Sequence, residues 1–205
     1  MQFGAFAVWQ VLCEYTRGEM RRLVDRGEWV RVFRGVYREA GTPPVPELRV
    51  EAARLTTGLV SVTAAYETAA QLHGFSVSDT RTTHVLGARA ARSAQLFVHR
   101  DHADAAELEL IRGTLTTTAA RTAVDVARTT SPAVASATLE AAVERGISLR
   151  ELAQEVCRHR GRRGYGQAAE LIGLLRSGTP VGVLPGAEWL RCVPTRAVSA
   201  AVGGE

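Results

Sequence analysis

The stretch TRGEMRRLVDRGEWVRVFRGVYREAG, residues 16–41, gathers seven arginines: Arg17, Arg21, Arg22, Arg26, Arg31, Arg34 and Arg38. Met20, Leu23 and Val24 stand at i, i+3 and i+4, so they share one helical face and leave Arg21, Arg22 and Arg26 pointing away. Thr16 with Glu19 three residues on has the spacing of a capping box, and Gly27 is placed to end the helix. Next come EWVRVF and VYREA, rich in β-branched and aromatic residues and separated by the turn pair Arg34-Gly35, which predicts a hairpin. Trp29 and Tyr37 are expected to pack that hairpin onto the helices, with Gly35 making its turn. Upstream, AFAVWQVLCE is expected to form a further helix that buries Phe6, Trp9, Val11 and Leu12.

Two short helices joined by a tight turn and followed by a hairpin give the element order of a winged helix-turn-helix. In that arrangement the second helix enters the major groove of DNA and the wing lies along the backbone. The charge supports this placement. Residues 17–38 carry a net +4, equal to the net charge of all 205 residues. An arginine on the second helix can reach a guanine edge or a phosphate, whereas those on the wing meet phosphate. The competing reading is a solvated basic face. A winged helix also usually has a supporting helix ahead of the pair. Either the second domain supplies it, or the start lies further upstream.

The composition bounds the chemistry. Every basic residue is arginine and none is lysine, which excludes a P-loop lysine, a Schiff base and the lysine of a restriction-type nuclease site. Cys13, Cys157 and Cys192 are far apart and in no CxxC spacing, which fits a reducing cytoplasm. No apolar run reaches the roughly 18 residues of a membrane span, and the N-terminus lacks the basic start of a signal peptide. His99 and His102, in HRDH, stand at i, i+3 with no third ligand placed by spacing. No catalytic residue, metal or cofactor is expected. A second basic cluster, RHRGRRGYG, holds Arg158, Arg160, Arg162 and Arg163; it is either an interhelical loop or a second phosphate contact.

Past a stiff GTPPVP connector, with a domain boundary placed near residue 42, the chain reads as a mixed α/β domain over residues 47–176. PELRVEAARLTT predicts a helix, GLVSVTAAYETAAQLHGF a short strand and a helix, and TTHVLG and AQLFVHR strands. LELIRGTLTTTAARTAVDVART predicts a strand, a turn and a helix in which Arg121 and Asp125 form an i, i+4 pair. Further helices are expected near 132–144, 148–159 and 165–176. His73 beside Gly74 reads as helix capping and packing. The fold class is α+β.

GEMRRLVDRGEWVRVFRGVYREAG resembles the N-terminal winged-helix segment of the AbiEi family of antitoxins, of type IV toxin–antitoxin systems, through Gly27, Trp29 and Arg34-Gly35-Val36-Tyr37. The resemblance continues to about residue 176. Ser61, Ala69, Leu72, His73 and Gly74 match one loose motif, and Thr117, Thr118, Arg121, Thr122, Val124, Asp125, Ala127 and Arg128 match another, as in actinobacterial proteins of this kind. The resemblance implies a cytoplasmic, non-enzymatic regulator that binds double-stranded operator DNA, represses its own promoter and contacts a nucleotidyltransferase-like toxin. Such proteins often continue into a domain similar to very-short-patch repair endonucleases. PGAEWLRCV, with Glu188, Leu190 and Arg191, resembles the opening of that domain, but no Glu-x-Lys follows. Residues 177–205 are therefore expected to be a truncated remnant, broken near residue 193. Two alternative functions follow: an inactive remnant of a two-domain endonuclease, and a protein-interaction module whose winged helix binds protein.

Overall fold

The first strand is a place where pairing overrides local helical propensity. In the computed structural model, which describes residues 3–77, 79–88 and 91–178, Ala5–Ala7 forms strand β1. Ala5, Phe6 and Ala7 pair antiparallel with Arg38, Tyr37 and Val36. Helix α1 is left with four residues, Val8–Val11. The helix expected over 5–14 is thus corrected: Phe6 is only half-buried, and Trp9 and Leu12 are exposed, at 67% and 43%. Helix α2, Arg17–Asp25, and the hairpin of β2, Trp29–Phe33, and β3, Val36–Glu39, complete the first unit. Its sheet has the order β1-β3-β2.

Helix α3, Pro46–Thr57, begins on a proline, whose missing N–H costs nothing at that position. It packs against all three strands of the small sheet and also against the second sheet. One apolar cluster consequently joins Ala5, Ala7, Phe33 and Val36 to Leu48, Ala53, Val85 and Val98. The loop at 40–45, which contains the boundary expected near residue 42, runs between β3 and α3.

The second sheet has the order β6-β7-β5-β4-β9-β8. Its strands are β4 Thr63–Ala64, β5 Thr83–Leu86, β6 Ala91–Arg92, β7 Leu96–His99, β8 Leu108–Ile111 and β9 Thr114–Thr117. The β4/β9 and β5/β7 pairs are parallel and the others antiparallel. Helix α4, Tyr66–His73, connects β4 to β5. Sequence reading gave 108–129 one strand, a turn and a helix. The structure inserts a second strand, β9, because Arg112 and Gly113 adopt φ of 49° and 80°, the two positive values of a two-residue hairpin turn.

Four helices close the chain: α5 Ala119–Thr129, α6 Pro132–Glu144, α7 Leu149–Arg158 and α8 Tyr165–Ser177. They bury Val124, Leu139, Leu152 and Leu171 in a second core. The protein is of the α+β class. The tail expected as a nuclease remnant, with Glu188, Leu190 and Arg191, lies outside the described residues.

Helix α5 also buries charge. The Arg121 guanidinium, 1% exposed, donates from Nε to Asp125 Oδ2 at 2.7 Å, from Nη1 to Glu107 at 3.1 Å and from Nη2 to Asp101 at 3.1 Å. Arg128 donates from Nη2 to the other Asp125 oxygen at 2.6 Å and from Nη1 to the Arg163 carbonyl at 2.9 Å. Arg162 reaches Asp101 as well. Burial would raise the Asp101 carboxyl, but Arg162 and Arg121 hold it below its ordinary value. The expected Arg121–Asp125 pair is therefore present, but as the centre of a buried network. That network ties α5 to the 101–107 segment and to the loop before α8.

Candidate nucleic-acid interface

Helix α2 is closed at both ends by its own sequence. At its start the Thr16 hydroxyl accepts from the Glu19 amide at 3.3 Å, and Glu19 accepts from the Thr16 amide at 2.8 Å. The hydrogen bonds from Thr16 hold the Glu19 carboxyl below its ordinary value. At its end Gly27, with φ of 71°, donates to the Val24 carbonyl and Glu28 donates to the Leu23 carbonyl, both at 2.9 Å. That is the Schellman pattern, which asks for a residue free of a Cβ penalty at Gly27. Met20 is buried, Leu23 and Val24 are half-buried, and Arg17, Arg21, Arg22 and Arg26 are exposed.

Aromatic rings pack the hairpin's Trp29 against β1, the segment ahead of α2 and β3. Trp29, 8% exposed, meets Phe6 edge-on at 4.7 Å, Tyr15 at 5.2 Å and Tyr37 at 6.5 Å between ring centroids. Such contacts contribute about 0.5–1.5 kcal/mol each beyond burial. Gly35, with φ of 72°, shapes the turn that presents Arg34.

The seven arginines differ in what holds them. Arg38 is half-buried, and its Nη1 donates to the carbonyls of Glu39, Ala40 and Thr42. Arg31 donates from Nε to the Phe33 carbonyl at 3.2 Å. Arg26 pairs with Glu28 at 3.1 Å, both more than half exposed, and such a pair contributes little. Arg17, Arg21, Arg22 and Arg34 are exposed and make no side-chain hydrogen bond or ion pair among the described residues. The second basic cluster, between α7 and α8, is divided in the same way. Arg158 pairs with Glu155 at 3.0 Å and Arg162 with Asp101, while Arg160 and Arg163 are exposed.

The profile of the AbiEi antitoxin C-terminal domain matches residues 51–174. The chain belongs to the AbiEi antitoxin family. Two uncharacterized Mycobacterium tuberculosis proteins, Rv2248 of strain H37Rv and MT2308 of strain CDC 1551 / Oshkosh, are each 38% identical to it over 160 residues. The matched part is 77% of this chain and 57% of each relative, so it spans somewhat more than half of their length. The AbiEi match begins inside α3 and ends inside α8. It thus takes in the second sheet, the helices and the buried network, and leaves α2 and its hairpin outside.

Within the AbiEi domain, sequence reading missed a side-chain group around Tyr66. This residue adopts φ of 51°, a strained value that costs about 1–3 kcal/mol off glycine. Its ring stacks on His99 at 4.2 Å and its hydroxyl donates to Asp101 at 3.2 Å. Burial, with Asp125 adding to it, raises the Tyr66 hydroxyl well above its ordinary value. His84 Nδ1 lies 2.9 Å from His99 Nε2, so one ring carries the shared proton. No cluster of three His, Cys, Asp or Glu able to hold a metal occurs among the described residues. The group eluded sequence reading because 15 to 35 residues separate its partners.

Burial lowers both histidines from 6.5. The unfolded chain therefore binds more protons just below pH 6.5, and stability is expected to fall as pH drops through that value toward the folded ones. Glu67, beside His84 at 3.7 Å and raised by burial, acts in the opposite sense above 4.5. Proton NMR titration should find both rings ionising below 6.5. Either ring titrating above that value would contradict the burial argument.

Proposed function

We propose that this AbiEi protein is a DNA-binding autoregulator: β1, α1, α2 and the β2–β3 hairpin act as a winged helix-turn-helix on operator DNA. The observation that carries this reading is the set of four unpaired, exposed arginines, three on a doubly capped helix and one on the wing turn. Arg21 and Arg22 enter the major groove with α2, and Arg34 meets a phosphate. Arg17 and Arg26 flank the groove, and Arg31 and Arg38 stiffen the wing while adding positive field. The matched domain meets a nucleotidyltransferase-like toxin, and the whole works in the cytoplasm without catalysis of its own.

Fluorescence anisotropy on duplex DNA from the upstream region and on a scrambled duplex, each at two salt concentrations, tests the reading. The upstream duplex is expected to bind more tightly. Arg21→Ala and Arg22→Ala should narrow the preference by about 1–3 kcal/mol for a lost base contact. Arg34→Ala should weaken both duplexes alike and reduce the salt slope by about one. If all three variants bind like the wild type, the reading fails.

A further inference from the structure

The wing turn borders a cleft of about 1050 Å³. Three segments line it: the wing at 31–35, the end of α3 with Leu59, and the β6–β7 hairpin at 92–96. Arg31, Arg34 and Arg92 come from two different sheets to line it, and no acidic side chain does so among the described residues. Thr56, Ser93 and Gln95 add hydroxyl and amide groups.

The cleft is held in shape from both sides. The Thr56 hydroxyl donates to the Arg34 carbonyl at 2.5 Å, fastening the wing turn to α3. The Arg92 guanidinium lies over the Phe97 ring, 4.4 Å from its centroid, in a cation–π contact. Arg31 is fixed through Nε alone, so its Nη groups remain available. Three cations around an apolar base of Val32, Phe33 and Leu96 concentrate positive field, because low-dielectric walls focus it. Such a lining suits a row of phosphates. It offers no acid for a basic partner.

We propose that this cleft is a second clamp on the sugar–phosphate backbone, holding the operator duplex past the wing, with Arg92 as the contact supplied by the AbiEi domain. The proposal rests on the DNA-binding reading of α2 and the wing. It extends the DNA footprint onto a strand of the second sheet.

The test uses the whole chain and compares wild type, Arg92→Ala, Arg92→Lys and Arg34→Ala by anisotropy. The probes are a long upstream duplex, duplexes trimmed from either end, single-stranded DNA and inorganic tripolyphosphate. Arg92→Ala is expected to lower the salt slope on the long duplex by about one and to leave the preference over a scrambled duplex unchanged. Arg92→Lys should restore the slope, since charge and not fork geometry meets a phosphate. On the duplex trimmed of the flanking backbone, Arg92→Ala and wild type should bind alike. Because Arg92 is exposed, circular dichroism should show an unchanged fold. An unchanged slope for Arg92→Ala beside a reduced slope for Arg34→Ala overturns the clamp and leaves the winged-helix reading standing. An Arg92→Ala defect seen only with tripolyphosphate or single strands overturns the duplex assignment. Absence of any DNA binding by the wild type defeats both readings.

Discussion

Asp125→Ala is expected to lower the free energy of unfolding by about 3–5 kcal/mol, the range for removing one partner of a buried ion pair. Asp125 is fully buried, and each of its oxygens accepts from a different arginine. Its two partners do not suffer equally when it is removed. Arg121 keeps Glu107 and Asp101, whereas Arg128 keeps only the Arg163 carbonyl and has its Nε already unpaired. The stranded charge is therefore Arg128. A double-mutant cycle should show it: Asp125→Ala with Arg128→Met should be more stable than Asp125→Ala alone. Urea midpoints supply both numbers. A loss under about 1 kcal/mol, within the ordinary range of point substitutions, would mean that the network relaxes around its missing member.

Gly164→Ala is the second large effect. Gly164 adopts φ of 76°, and a Cβ built there would stand 1.9 Å from the Arg128 carbonyl oxygen. Left-handed backbone costs an alanine about 1–2 kcal/mol. The overlap adds about 1–3 kcal/mol, since a helix carbonyl cannot swing aside as a side chain can. Gly161 is the control, because it has φ of 82° with nothing within 4 Å, so its alanine variant carries only the backbone cost. Thermal melts of both variants should separate clearly. Equal losses would show that the loop shifts to absorb the overlap.

Local signals made much of this molecule legible in its sequence. The α2 cap is a three-residue spacing, the hairpin a run of β-branched residues around Arg-Gly, and the last three helices were readable from periodicity to within a residue or so. What escaped has partners far along the chain. Ala5–Ala7 is too short to declare its alternation, and its strand state comes from β3, about thirty residues later. Arg121 and Asp125 were visible as neighbours on a helix, but Glu107, Asp101 and Arg162 join them only through tertiary contact. For the same reason Arg92, on a two-residue strand, carried no periodic signal that would have marked it for the cleft. The candidate interface was legible as charge on a helix and a turn. Which of its arginines are tied down by carbonyls was not.

Because α3 inserts its apolar side between the small sheet and the large one, Ala5, Ala7, Phe33 and Val36 share one interior with Leu48, Val85 and Val98. Damage on either side of that helix is shared. An oxidised, cleaved or heat-softened second sheet takes away the floor on which the hairpin rests, and a hairpin lost from β1 leaves α3 bare. The small sheet and the second sheet are thus expected to lose their order in one transition.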